Sequence, residues 1–113
     1  MTPAETPQGK VALKFAEALC VGAYDEAHAM LSASLKADLS PTKLQKDYED
    51  MIAYGDGPPN LVEVIEALED WQAKQADDLG WAYAVIAGDS YGEAVAVIVT
   101  KELLIRDIEW GRP

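Results

Sequence analysis

Two carboxylates stand two positions apart in the final stretch of the chain, LIRDIEWGRP, where they are Asp107 and Glu109. Neighbouring carboxyl groups can act as a general acid and a general base if they are buried together and their pKa values are driven apart. The same spacing in a strand places both side chains on one face, where exposed carboxylates only add solubility. The alternation favours this second interpretation, because Leu104, Ile108 and Trp110 form a more apolar opposite face.

Arg106 is the unusual residue of this last strand, because the alternation places it on the apolar face that should meet the helices. Ile105 is predicted to point outward together with Asp107 and Glu109. A charge on the core side needs an ionic partner or a place at the mouth of a cavity. Alternatively, its long side chain extends past the edge of the sheet into water.

Other side chains with catalytic chemistry are few. His28 is the only histidine, so no cluster of histidines is present for a metal ion, and a surface or packing role is favoured. Cys20 is the only cysteine and lies in the apolar run FAEALCVGA, which favours a buried thiol over a nucleophile. The loop GDGPPN lacks the lysine of a P-loop, and no GxSxG elbow occurs. The sequence therefore predicts a non-enzymatic protein without a metal or a cofactor.

The negative charge is concentrated in one segment. The chain carries a net charge of −11, and residues 47–78 hold ten acids and one base. The sequence predicts no binding to nucleic acid or to an anionic membrane, because both need a basic surface. Two interpretations remain for the acidic segment: a surface that keeps the protein soluble, or a docking face for a basic partner.

Trp71 is predicted to lie at the centre of this docking face. It lies among acids and polar residues in LEDWQAK, and an exposed tryptophan in such a setting is typical of protein recognition. The predicted partner-binding residues are Glu63, Glu66, Glu69, Asp70, Trp71, Asp77 and Asp78.

The first half of the chain predicts about three helices. Thr6 and Pro7 form an N-terminal cap and first turn, and apolar residues then recur at helical spacing until Gly22. GAYDEAHAML predicts a second, short helix. Ser40 and Pro41 begin the third, which Gly55 ends.

The second half predicts strands. WAYAVIAGD at 81–89, GEAVAVIVT at 92–100 and a stretch at about 103–110 alternate with period two and have short connections, which indicates an antiparallel meander. The segment 61–70 is predicted to be a further strand, although its alanine, leucine and glutamate content also fits a helix.

With 113 residues, the chain is predicted to be one domain over 1–113 with a flexible start at 1–6. No apolar run approaches the length of a membrane span, and the N-terminus does not resemble a secretory leader. A single cysteine favours a cytoplasmic location.

The order of these elements resembles the NTF2-like superfamily of cone-shaped α+β domains. VGAYDEAHAMLSASLKADLS is similar to its second helix, SPTKLQKDYEDMI to its third, and IRDIEW to its closing strand, so the resemblance covers about 7–111. It implies helices packed on a curved antiparallel sheet of about four strands. The superfamily includes isomerases, dehydratases, transport adaptors, immunity proteins and binding modules.

Two functions are compatible with this fold. The favoured hypothesis is an acidic protein-binding module, such as an immunity or inhibitor protein that covers a basic partner. The alternative is an isomerase, hydrolase or ligand carrier with a pocket inside the cone. Its predicted lining is His28, Tyr48, Tyr83, Arg106 and Trp110. A homodimer that packs sheet against sheet is compatible with either function.

Overall fold

The computed structural model describes residues 2–53, 55 and 57–111. Its helices are α1 (Pro7–Cys20), α2 (Tyr24–Ala29), α3 (Ala33–Asp38) and α4 (Pro41–Ile52). They are followed by the strands β1 (Leu61–Leu68), β2 (Asp78–Ala87), β3 (Gly92–Thr100) and β4 (Ile105–Trp110). The strands form one open antiparallel sheet in the order β1-β2-β3-β4. The α+β class and the meander of four strands are confirmed.

Side-chain caps set the beginnings of α1, α3 and α4. The Thr6 hydroxyl accepts a hydrogen bond from the Gly9 N–H at 3.0 Å, and Ser40 accepts one from Lys43 at 3.1 Å. Ser32 caps α3 in the same way, with the Leu35 N–H as donor at 3.3 Å. This third cap was overlooked in the sequence, so the predicted number of about three helices is too low for the described residues.

The start of the chain, which was predicted to be flexible, contains a short 3₁₀ helix at Pro3–Glu5. Ala4 within it packs against the core. Gln8, in the first turn of α1, is buried and its side chain donates a hydrogen bond of 3.1 Å to the carbonyl of Leu68. This bond ties the beginning of α1 to the end of β1.

The ambiguous segment 61–68 is a strand rather than a helix. Val62 pairs with Ile86 and Val64 with Ala84, so both valines lie on the face of the sheet that meets the helices. Burial of these β-branched side chains outweighs the helix propensity of the neighbouring glutamates and alanine.

One extra residue interrupts the pairing of three strands: Ile65 in β1, Leu79 in β2 and Arg106 in β4. Such bulges bend a strand and change which face the following side chains occupy. Ile105 was predicted to point outward, and this prediction is wrong because the bulge at Arg106 changes the alternation. Ile105 pairs with Val99 and is fully buried, whereas Asp107 beyond the bulge is exposed.

The core lies between the helices and one face of the sheet. We call this face the inner face. Small residues on both elements, Ala12 and Ala16 on α1 and Ala82 and Ala84 on β2, allow α1 to pack closely over β2. The largest fully buried apolar side chains fill the remaining space: Phe15, Leu19, Leu31, Leu44, Ile86, Val95, Val97, Val99 and Ile105. Within the described residues, no helix has the length and apolarity that crossing a lipid bilayer requires.

Candidate functional site on the outer face of the sheet

The face of the sheet that points away from the helices carries the other half of each strand's side chains. We call it the outer face. The strand pairing assigns to it Leu61, Glu63, Glu66, Leu68, Trp81, Tyr83, Val85, Ala94, Ala96, Ile98, Asp107 and Glu109. None of these residues is basic.

Two aromatic rings form the centre of the outer face. Trp81 and Tyr83 stack with their ring centroids 5.9 Å apart and their planes inclined by 19°. Trp81 pairs with Ile98 on β3, and Tyr83 pairs with Ala96. Both rings are half-buried by these neighbours and leave the rest of their surface accessible. A flat aromatic and aliphatic patch of this kind suits the buried centre of a protein interface.

Carboxylates flank the aromatic centre on two sides. Glu63 and Glu66 on β1 lie along one side, and Asp107 and Glu109 on β4 along the other, and all four are exposed. A small depression of about 30 Å³ between Trp81 and the two β4 acids is lined also by Ala96 and Ile98. The carboxylate pair of the closing strand is therefore solvated and belongs to this rim.

The remaining acids of the predicted partner-binding set lie outside the strands. Glu69, Asp70 and Asp77 are exposed in the connection between β1 and β2. Trp71 is half-buried there, and the ammonium group of Lys74 lies 5.8 Å from the centroid of its ring. Its indole Nε1 is buried and makes no hydrogen bond among the described residues. Trp71 is thus held within its own loop by Lys74 and is less exposed than its sequence suggested.

Asp78 is not part of the acidic surface, since only 1% of it is exposed. Its two carboxylate oxygens accept hydrogen bonds of 2.6 and 2.7 Å from Nε and Nη2 of Arg106, and Oδ2 also accepts one of 2.9 Å from the Gln75 N–H. The Arg106 guanidinium is the main reason that the pKa of Asp78 lies below its ordinary range. The ionic partner that Arg106 requires is Asp78.

His28 and Tyr48, which were predicted to line a pocket, make structural contacts in the helical layer. Nε2 of His28 donates a hydrogen bond of 2.8 Å to the carbonyl of Leu39, just beyond the end of α3. Tyr48 is buried, and its hydroxyl donates to the sulfur of Cys20 at 3.7 Å. Burial raises the pKa of both the Tyr48 phenol and the Cys20 thiol, so both stay protonated at neutral pH.

The other two predicted lining residues lie on different faces of the sheet. Tyr83 is on the outer face, whereas Trp110 pairs with Val95 on the inner side and packs at the margin of the core. A shallow depression of about 440 Å³ next to Trp110 is lined also by Asp47, Asp50 and Met51 of α4. The five predicted lining residues are therefore not brought together.

The sequence interpretation overlooked Trp81 and Ile98 as members of a binding surface. A signal was present, because β2 alternates large residues (Trp81, Tyr83, Val85) with small ones (Ala82, Ala84). The small residues face the helices since α1 packs closely there, and this leaves the large ones on the outer face. In the part of the chain that the structure describes, no group of histidine, cysteine or acidic residues is arranged to hold a metal ion.

Comparisons with protein families, with curated proteins and with solved structures found no match for this chain.

Proposed function

We propose that this protein is a non-enzymatic binding module that holds a basic protein against the outer face of its sheet. The observation that carries the proposal is the stacked pair of Trp81 and Tyr83 between two lines of exposed carboxylates. The partner that fits has an apolar centre with lysine or arginine residues around it.

The two parts of the outer face have different roles in this binding. Tryptophan and tyrosine are enriched among the residues that supply most of the energy of interfaces, because they bury a large area with little loss of side-chain entropy. Carboxylates at the rim remain partly hydrated, so they contribute little affinity but speed the encounter with a basic surface and reject acidic ones. Binding should therefore depend on Trp81 for affinity and on the rim for rate and salt sensitivity.

A second copy of the chain suits the outer face less well than a basic protein. Each copy carries a net charge of −11, and face-to-face packing would bring the acidic rims of two copies together. Like charges across an interface cost several kcal/mol in total, and no lysine or arginine of the outer face offsets them.

The order of four described helices followed by an antiparallel meander also supports the proposal of a distant relation to NTF2-like domains. Within that group, an immunity or inhibitor protein is the form that matches an acidic face and needs no catalytic group. An internal small-molecule pocket is less well supported, because Phe15, Leu44 and Val95 fill the space between helices and sheet.

The test is capture of partners from a lysate of the source cells by wild-type protein and three variants. Trp81→Ala removes the aromatic centre, and Glu66→Lys with Glu109→Lys places two lysines among the four rim carboxylates and so cancels the net charge of the rim. Glu26→Lys is the matched control, because Glu26 is an exposed acid on α2, away from the outer face. Circular dichroism and thermal unfolding confirm that each variant folds.

We expect one basic protein to be captured by the wild type and by Glu26→Lys, and to be captured more slowly at high salt, which screens the rim. Trp81→Ala should lose it with the aromatic contact area, and Glu66→Lys with Glu109→Lys should lose it because the new lysines repel the basic residues of the partner. A captured protein that all four retain equally would contradict the proposal. So would a molecular mass by light scattering that falls from dimer to monomer in Trp81→Ala, because the occupant would then be a second copy.

A further inference from the structure

A groove of about 570 Å³ lies on the helical side of the molecule, and none of its lining residues belongs to the outer face. One wall is formed by two turns of α1, and the other by the end of α2 and the turn between β3 and β4. Its lining residues are Pro7, Lys10, Val11, Lys14, Ala29, Met30, Leu103 and Leu104. The side chains that line it are apolar except for the two lysines.

Lys10 and Lys14 are the two basic residues that border this groove. They are exposed and one helical turn apart, so their ammonium groups lie on the same side of α1. Within the described residues neither lysine forms an ion pair, whereas Lys43, Lys46 and Arg106 all do. Two uncompensated cations thus border an apolar groove in a chain whose net charge is −11.

Leu103 forms part of the apolar lining of this groove, and its backbone conformation is strained. The turn has three residues: the Leu103 N–H donates to the carbonyl of Thr100 at 2.8 Å, and the Thr100 N–H donates to that of Leu104 at 2.8 Å. The third position of such a turn has a positive φ and favours glycine or asparagine, but here it is Leu103, with a φ of 66°. Leu103 is 49% exposed, so burial within the chain offsets only part of this strain.

The hydrogen bonds already made by the lining residues favour an alkyl chain over a peptide as the ligand. The N–H groups of Met30, Leu103 and Leu104 already donate within the fold, so an extended peptide would find few backbone partners. An alkyl chain needs no hydrogen bonds, and the lined part of α1 is about 10 Å long. We infer that this groove binds a medium-chain fatty acid, with its carboxylate at Lys10 and Lys14 and its chain against Val11, Met30 and Leu103.

Isothermal titration calorimetry and methyl NMR with decanoate test this inference on the full chain. Decyltrimethylammonium has an alkyl chain one carbon longer and the opposite charge, and butyrate has the same head group with a short chain. We expect saturable binding of decanoate, with shifts of the methyl groups of Val11, Met30, Leu103 and Leu104. The other two compounds should bind at least tenfold more weakly.

Two variants separate binding from folding. Lys10→Gln combined with Lys14→Gln should weaken decanoate binding at least tenfold, whereas Lys36→Gln, an exposed lysine on α3, should not change it. Leu103→Gly should weaken binding while the melting temperature stays the same or rises, because glycine relieves the positive φ. Equal binding of the two charged amphiphiles, shifts elsewhere in the molecule, or no saturable binding of decanoate would overturn the inference.

Discussion

The guanidinium of Arg106 and the carboxylate of Asp78 are joined by two parallel hydrogen bonds of 2.6 and 2.7 Å, although β3 lies between their strands. Each residue lies at an interruption of the strand pairing. Arg106 is the extra residue of β4, and Asp78 pairs with Thr100 directly before the extra residue of β2. The ion pair therefore connects β2 to β4 across the end of β3 and fixes both bulges in place.

Removal of either partner should destabilise the fold, but not equally. Arg106→Ala leaves a fully buried carboxylate without its partner and should reduce the free energy of unfolding by about 3–5 kcal/mol. Asp78→Asn should cost less, about 2 kcal/mol, because the Arg106 side chain is 21% exposed and can reach water. Urea unfolding measures both values.

The control for this comparison is Lys46→Ala, which breaks the exposed pair of Lys46 and Asp50 and should leave the urea midpoint unchanged. An equal loss in Arg106→Ala and Lys46→Ala would show that the buried pair contributes no more than a surface one.

The contribution of Asp78 to stability should depend on pH. Its pKa in the folded protein is lowered below the ordinary value of 3.8, mainly by the hydrogen bonds from Arg106. A group with a lowered pKa stabilises the fold above its ordinary pKa, and this contribution is lost as the pH falls through the folded value. The difference in unfolding free energy between wild type and Asp78→Asn should thus be constant from pH 7 to 5 and shrink below 3.8.

Urea unfolding of both proteins at a series of pH values checks this. The comparison cancels the effect of the other acids, whose mutual repulsion also weakens in acid. If the difference in unfolding free energy between the two proteins grew as the pH fell, the expected loss of the Asp78 contribution in acid would be contradicted.

Gly80 should not tolerate a side chain. A Cβ atom at this position would lie 2.5 Å from Cδ and Nε2 of Gln8, which is buried and hydrogen-bonded to Leu68. Gly80→Ala should displace Gln8 and break that bond, with a loss of about 2 kcal/mol in unfolding free energy. Gly92→Ala, at the beginning of β3, is the matched control because no atom of the described residues, apart from its two chain neighbours, lies within 4 Å of its added Cβ. Thermal unfolding of the two variants should differ clearly, and equal melting temperatures would rule out the clash.

Cys20 should react slowly with iodoacetamide at pH 8. Burial raises the pKa of its thiol, and the hydrogen bond from Tyr48 only partly opposes this effect by stabilising the thiolate. Tyr48→Phe removes that bond and should shift the pH profile of alkylation to higher pH. Because Cys20 is the only cysteine, the mass of the protein reports its modification directly. Faster alkylation at pH 8 in a folded Tyr48→Phe variant would contradict this account.

Much of the secondary structure follows from local sequence signals. Thr6 with Pro7 and Ser40 with Pro41 cap two helices, and the period of two in β2 and β3 is visible without any tertiary information. The negative charge and the exposure of the two acids of the last strand could also be predicted from the sequence, because they depend only on composition and on alternation. These features involve residues within a few positions of one another.

Only the tertiary structure decided the state of 61–68, the burial of Asp78 and of Ile105, and the face on which Trp81 and Tyr83 lie. Each depends on residues far apart in the chain: Asp78 on Arg106, 28 positions away, and Val64 on Ala84. A bulge inserts one residue and so reverses the side-chain alternation beyond it, which no period in the sequence records. The sequence by itself determined α1, α4, β2 and β3, whose signals are local, and the packing of α1 on β2 decided which side of the sheet became a surface.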